Sequence, residues 1–202
     1  MAFTFFFRDV HTLQHAVNFL LPDIQGLRQI RIWDAGCAMG QEPYTFAILL
    51  AEKMGFFAYK NVMIDATDID ESDTFGKIIT NGKYPEGDLS RIPIEYFQKY
   101  FHKAEDEDGI MEIDSQIKNR VVFKKHDLLE LQPFRDDYNL IICKNVLLHF
   151  QPEDRIKVIN MYHSVLAKGG LFVTEQTQPM PDENKHQFEK IVSDANLYRK
   201  IS

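Results

Sequence analysis

Residues 31 to 44 read RIWDAGCAMGQEPY. A largely apolar run closes on an acid, Asp34, a loop of small residues follows, and Pro43 stands in the first turn of a helix-like segment. Proline suits that turn, because the N–H it lacks would be unpaired there anyway. Strand, small-residue loop and helix in this order make a cradle for a nucleotide-like ligand, since residues without bulk let the backbone pass close to it. The plainer reading of the same residues is a glycine turn between two elements.

The rest of the chain repeats the alternation. QIRIWDAG is a strand and EPYTFAILLAEKMG a helix, with Tyr44, Ala47, Ile48, Ala51 and Met54 on one face and Gly55 at its end. NVMIDATDID is a second strand ending in Asp68 and Asp70, and SDTFGKIITNG a short helix stopped by Gly82. Residues 10 to 21, VHTLQHAVNFLL, have helical apolar spacing. Strand and helix in turn imply parallel βαβ units, right-handed crossovers and a ligand crevice at the carboxyl ends of the strands.

Residues 83 to 118 interrupt this pattern with an aromatic helix-like stretch, an acidic turn (EDEDG) and a short strand (IMEID), and are expected to form a small inserted subdomain. The pattern resumes with RVVFKKHDLLEL, a strand ending at Asp127, and YNLIICKNVLLHF, a strand ending near Asn145. EDRIKVINMYHSVLAKGG then reads as a helix closed by Gly169 and Gly170. LFVTEQTQ and NLYRKIS are the last strand candidates.

Composition excludes several classes. A chain of 202 residues that is 45% hydrophobic suits one domain with a proper core. Its net charge of -7 argues against a nucleic-acid partner. No apolar run approaches the roughly 18 residues of a membrane span. The N-terminal residues have neither the basic start nor the cleavage site of a signal peptide, so a cytoplasmic location is expected. Cys37 and Cys143 lie too far apart in sequence for a metal-ligand spacing, and no metal residues are assigned; buried, reduced thiols are expected.

The loop from Asp34 to Gly40 matches neither GxGxxG nor a P-loop, so it gives no support for a phosphate cradle. Asp68 at a strand end can accept two hydrogen bonds from a ribose diol, or it can cap a helix, a role open also to Asp70 and Ser72. Asp127 can accept from an adenine amino group or cap a turn, and the helix dipole favours Glu42 in a first turn whatever else it does. Several acids at strand ends suggest one polar crevice for an adenosine-type ligand without a phosphate chain.

The blocks TFFFRDVH, GCAMGQEPYTFAILLAE, ATDID, HDLLEL, NLIICKNVLLHF, LAKGGLFVTEQ and LYRK, in this order, resemble the catalytic domain of the CheR chemotaxis receptor methyltransferases. The resemblance implies an α/β, class I S-adenosylmethionine (SAM) methyltransferase fold, a Rossmann-like seven-stranded sheet with helices on both faces. It implies SAM as methyl donor, S-adenosylhomocysteine as product, and glutamate carboxylates of a chemoreceptor-like protein as acceptors. The cofactor residues it implies are Thr4, Arg8, Asp34, Gly36, Cys37, Ala38, Glu42, Asp68, Ile69, Asp127, Leu128 and Asn145. Glu42 is placed beside the SAM amino group, Asp68 on the ribose, and Asp127 with Leu128 around the adenine. Arg8, Asn145 and His149 are the catalytic candidates. In the family the insertion at 83 to 118 can dock a receptor tail.

The chain departs from the family at three points. His149 stands where a tyrosine is usual, and Lys144 where arginine is common. The family's N-terminal helical domain has no counterpart in these residues. An imidazole can act as a base near neutral pH, which leaves open a small-molecule acceptor with a proton to lose; it can also simply cap the strand end beside Phe150. A carboxylate acceptor needs no base, because it is already ionised, but it must be held, and Arg8 suits that task unless it only pairs with Asp9. A non-catalytic SAM-binding or docking module is the third reading.

Overall fold

The computed structural model describes residues 4–105 and 107–201; Asp106 of the acidic turn lies outside them. Helix α1 (Val10–Ile24) precedes β1 (Ile30–Ala35), α2 (Gln41–Met54), the short α3 (Phe56–Tyr59), β2 (Val62–Asp68) and α4 (Phe75–Asn81). The insertion carries β3 (Lys83–Pro85), α5 (Ile94–Tyr100), β4 (Phe101–Lys103), β5 (Ile110–Ile113) and α6 (Ser115–Lys118). Then follow β6 (Val121–Lys125), β7 (Tyr138–Cys143), α7 (Pro152–Val165), β8 (Leu166–Thr174), β9 (Phe188–Lys190) and β10 (Asn196–Lys200).

Seven strands form one sheet in the order β6-β2-β1-β7-β8-β10-β9, and three form a second, β3-β5-β4. The pairs β6–β2, β2–β1, β1–β7 and β7–β8 are parallel, while β10 is antiparallel to both neighbours. The strand order reverses between β1 and β7, so the loops after these strands splay apart and open the crevice expected there. The expected α/β architecture is therefore present, with helices on both faces.

Alternation along the strands builds the two faces. Ile30, Ile32, Ile64, Leu140 and Ile142 pack with α1 and α2, whereas Trp33, Tyr138, Ile141 and Phe172 pack with Val158, Ile159 and Tyr162 of α7. Each fully buried aliphatic or aromatic side chain is worth about 1.5–3 kcal/mol in such a core. The one-faced pattern expected for α2 is too narrow: Phe46, Leu49 and Leu50 are buried as well, in a helix that packs against α1, α3 and α6 besides the sheet.

Three expectations about elements change. The helix thought to run to Gly170 ends at Val165, and Leu166 already has extended backbone. The two glycines serve a β-bulge instead: the pairing register slips between Tyr138/Leu166 and Leu140/Leu171. A Cβ on Gly170 would meet the Ala167 carbonyl at 2.9 Å. The third core strand stops at Lys125, short of Asp127. Strand β9, at the sheet edge, was not anticipated.

The insertion is no mere appendage. Phe6 packs edge-on against Tyr84 at 5.0 Å and Phe101 at 5.5 Å, Phe7 stacks on Tyr96 at 5.4 Å, and the Arg91 guanidinium sits 3.9 Å from the Phe5 ring centroid. The three phenylalanines of TFFFR thus seat the chain's start on the subdomain. Both cysteines are buried and unpaired. Among the described residues no helix is long and apolar enough to cross a membrane.

Candidate active site

The small-residue loop is held from both sides. The N–H groups of Gly36 and Cys37 donate to the Thr67 carbonyl at 2.7 and 3.0 Å, which fastens the loop to the end of β2. Gly36 has φ +96°, and a Cβ there would stand 2.1 Å from Cγ2 of Val146. Only glycine allows the loop and the segment after β7 to approach this closely. Ala38 is also left-handed, φ 46°, and its N–H donates to Oδ2 of Asp68 at 2.9 Å.

Asp68 and Asp70 divide the roles that the sequence left open. Asp70 accepts from the N–H groups of Thr74, Phe75 and Gly76 at 3.0 to 3.1 Å, so it holds the start of α4. Burial alone would raise its pKa, but these donors keep the carboxyl below its ordinary range. Asp68 caps no helix. Its two oxygens take one backbone N–H each, from Ala38 and Asp70, which fixes the carboxylate at the cleft wall with lone pairs to spare.

Behind the loop, Asp34 is fully buried, and neither carboxylate oxygen has a hydrogen-bond partner. Burial raises its pKa well above the usual carboxylate range; the nearby Glu42 carboxylate adds to this and the Lys144 ammonium opposes it. Nζ of Lys144, itself buried, lies 3.0 Å from Glu42 and 3.6 Å from Asp9. Lys144 thus faces three acidic groups, of which Asp9 also has Arg8 nearby. The region is short of positive charge, which suits a ligand carrying an ammonium and a sulfonium group.

Asn145 follows β7 in a left-handed conformation, φ 60°, which asparagine tolerates better than most residues. Its N–H donates to Oε2 of Glu175 at 3.2 Å, and its Oδ1 accepts from Nη2 of Arg8 at 3.1 Å. Thr174 Oγ1 also donates to Glu175 Oε2, at 2.8 Å. Arg8 additionally lies 3.9 Å from Asp9, so the surface pairing weighed in the sequence coexists with its place in the cleft. His149 is exposed at the mouth; its backbone N–H bonds Val146, and its imidazole lines the cleft near Phe150.

At the other end, Leu128 is buried and Asp127 caps the turn Leu128–Glu130 by accepting from Leu129 N–H at 2.9 Å. The capping role is real, and it leaves the second carboxylate oxygen for a ligand. Ile69, about half exposed, lies opposite. His126 completes this end; burial lowers its pKa and keeps the imidazole neutral.

These groups line two adjoining cavities. The larger, of about 590 Å3, is walled by Thr4, Arg8, Gly36, Cys37, Ala38, Glu42, Asp68, Lys144, Asn145 and His149, among others. The smaller, of about 120 Å3, is walled by Asp68, Ile69, His126, Asp127 and Leu128, and shares Gly36, Asp68, Val146 and Phe150 with the first. Their size is that of a small-molecule site. Every expected residue except Asp34 lines one or the other; Asp34 stands behind the wall, where burial favours its neutral form. Sequence reasoning missed Glu175 and His126, although both lie in the quoted blocks VTEQ and HDLLEL, and it noted Lys144 only as a departure. The residues fit SAM: acidic groups are available for its cationic part, a fixed carboxylate for its ribose, and a small cavity beside Leu128 for its base.

Comparison with known proteins agrees. Residues 2–197 match the family model for the SAM-binding domain of CheR methyltransferases. A probable chemotaxis protein methyltransferase of Rhizobium etli is 28% identical over 194 residues, covering 94% of this chain and 72% of that protein. Chemotaxis protein methyltransferases of Borreliella burgdorferi and Vibrio parahaemolyticus are each 33% identical over 173 residues. They cover 82% and 83% of this chain, which spans only 60% and 61% of their lengths.

Proposed function

Since the chain belongs to the CheR methyltransferase family, whose SAM-binding domain it carries, we propose that it methylates glutamate side-chain carboxylates of a chemoreceptor-like protein. The observation that carries this reading is the Arg8–Asn145 pair on the cleft wall. SAM supplies a methyl group on a sulfonium, an electrophile in its own right. The protein's task is then to hold the acceptor in line and shield it from water.

Arg8 is suited to grip the incoming carboxylate through a charge-assisted hydrogen bond, with Asn145 fixing the guanidinium and Glu175 fixing Asn145. No proton needs to leave a carboxylate acceptor, so no base is required. Asp68 holds the ribose, Asp127 and Leu128 frame the adenine, and Glu42 with Asp34 answers the cationic end. The subdomain, whose sheet has β3 and β4 as its edges, is the docking element: an extended receptor tail can add to such an edge through main-chain hydrogen bonds. The site of action is cytoplasmic.

The test is incubation of the protein with isotopically labelled SAM and purified chemoreceptor. Base-labile label on receptor glutamates is expected; its absence, with SAM bound, defeats the acceptor assignment. A second reading rests on the exposed imidazole of His149 at the cleft mouth, placed to take a proton from a small hydroxyl or amine acceptor. Under that reading His149→Ala abolishes transfer, and unchanged activity removes it. Failure to bind SAM in calorimetry would sink both and leave a docking module.

A further inference from the structure

Away from the cleft, three ligand-type atoms converge at the surface. His11 and His15 occupy successive turns of α1, four residues apart, and so present their rings on one face. Asp194 reaches them from the loop just before β10. Nε2 of His11 lies 2.7 Å from Oδ2 of Asp194, Nε2 of His15 lies 3.3 Å from the same oxygen, and the two Nε2 atoms are 3.2 Å apart.

We propose that His11, His15 and Asp194 form a binding site for a divalent transition metal of the zinc class. Two imidazoles and a carboxylate are the ligand set that borderline ions prefer. With zinc–ligand bonds of about 2.0–2.1 Å, the edge between two ligands of a tetrahedral site is about 3.3 Å. Two of the three separations fall within about 0.1 Å of that edge, and the shorter one needs only a small side-chain adjustment. Both Nε2 atoms lie within hydrogen-bond distance of each other and of the carboxylate, so one ion placed between them can be reached by all three.

The carboxylate is poised for this. Oδ2 of Asp194 already faces both imidazoles, at 2.7 and 3.3 Å. The Asp194 carbonyl accepts from Nε2 of Gln176 at 2.7 Å, which steadies the loop. His11 and Asp194 are exposed and His15 partly so, leaving an entry path and room for a water as fourth ligand. Cysteine spacing gave no hint of this site, because its ligands are two histidines and an acid 179 residues further on.

The location gives the metal a task. It would pin α1, through His11 three residues after Arg8, to a loop that Gln176 joins to Glu175, the residue holding Asn145. The bound ion braces the wall where the acceptor is gripped.

The test is titration of the chelator-treated full chain with ZnCl2 in a calorimeter and with CoCl2 in a visible spectrometer. One equivalent of Zn2+ should bind and raise the melting temperature, and Co2+ should give the d–d absorption of a low-coordinate site. His11→Ala, His15→Ala and Asp194→Ala should each weaken zinc binding by about tenfold or more, since even outer-shell partners are worth that much. Melting of the metal-free variants near the parent temperature shows that they fold. His186→Ala, at an exposed histidine elsewhere, should leave binding unchanged. The proposal is overturned if no saturable one-to-one binding occurs, or if the His11→Ala/His15→Ala double variant keeps the parent affinity.

Discussion

Nη2 of Arg8 donates to Oδ1 of Asn145 across 3.1 Å, joining residues 137 apart in sequence. The first comes from the segment seated on the inserted subdomain, the second from the turn after a central strand. Their meeting forms one wall of the cleft.

Arg8→Ala and Asn145→Ala are expected to slow methyl transfer more than they weaken SAM binding. A hydrogen bond to a charged group is worth about 1.5–3 kcal/mol, so kcat/KM should fall by about 10- to 150-fold. Arg8→Lys should recover little, since a lysine lacks the planar fork. Initial-rate kinetics beside calorimetry check this; a loss confined to the SAM dissociation constant would place Arg8 on the cofactor instead.

Asp68→Ala should weaken SAM binding by about tenfold or more, because it removes the ribose acceptor and frees the Ala38 N–H that shapes the loop. Asp70→Ala should chiefly lower stability, by about 0.5–2 kcal/mol, since it strips the start of α4. Equal effects of the two on SAM affinity would contradict the division of roles.

Gly36→Ala is expected to cost about 1–3 kcal/mol from the clash with Val146 together with the positive φ. For a chain of this size that lowers the melting temperature by several degrees. Adding Val146→Ala should restore part of the loss, because it removes the contact but not the backbone strain. Full restoration would assign the cost to the contact alone.

Asp34→Asn should leave the ligand-free protein at least as stable at neutral pH. The folded pKa of Asp34 is raised by burial, so its contribution is fully present below the unfolded value near 3.9 and is lost as pH rises through the folded value. The amide has no such loss. SAM binding should nevertheless weaken, since the cationic ligand loses a facing carboxylate. It should also release fewer protons than the parent, measured as heats in buffers of different ionisation enthalpy. Proton release equal to the parent's would show that Asp34 does not answer the ligand's charge.

Much of this protein was legible in the chain. Periodicity gave the strands and helices flanking the loop, since a strand's alternation and a helix's repeat are local. Glycines and Pro43 marked the loop and the start of α2, because backbone conformation there is a property of single residues. The GQEPYTFA and CKNVLLHF blocks pointed to the family and, through it, to SAM. The short edge strand β9 and the bulge at Gly169 and Gly170 escaped, because a three-residue strand and a bulge have no periodicity to read.

What only the tertiary structure decided is which polar atoms meet. The sequence left Asp68 and Asp127 open as cap or ligand and Asp70 as a cap; the fold sets Asp68 on the cleft wall, Asp70 under α4, and Asp127 as the cap of the turn Leu128–Glu130 beside the cleft. The pairing of Lys144 with Glu42, the hold of Glu175 on Asn145, and the meeting of His11 and His15 with Asp194 span 30 to 183 residues. Hydrogen bonds and ion pairs act over about 3 Å, and separations that long close to that distance only in the folded chain, where parallel crossovers gather strand ends at one edge of the sheet and α1 packs beside β10.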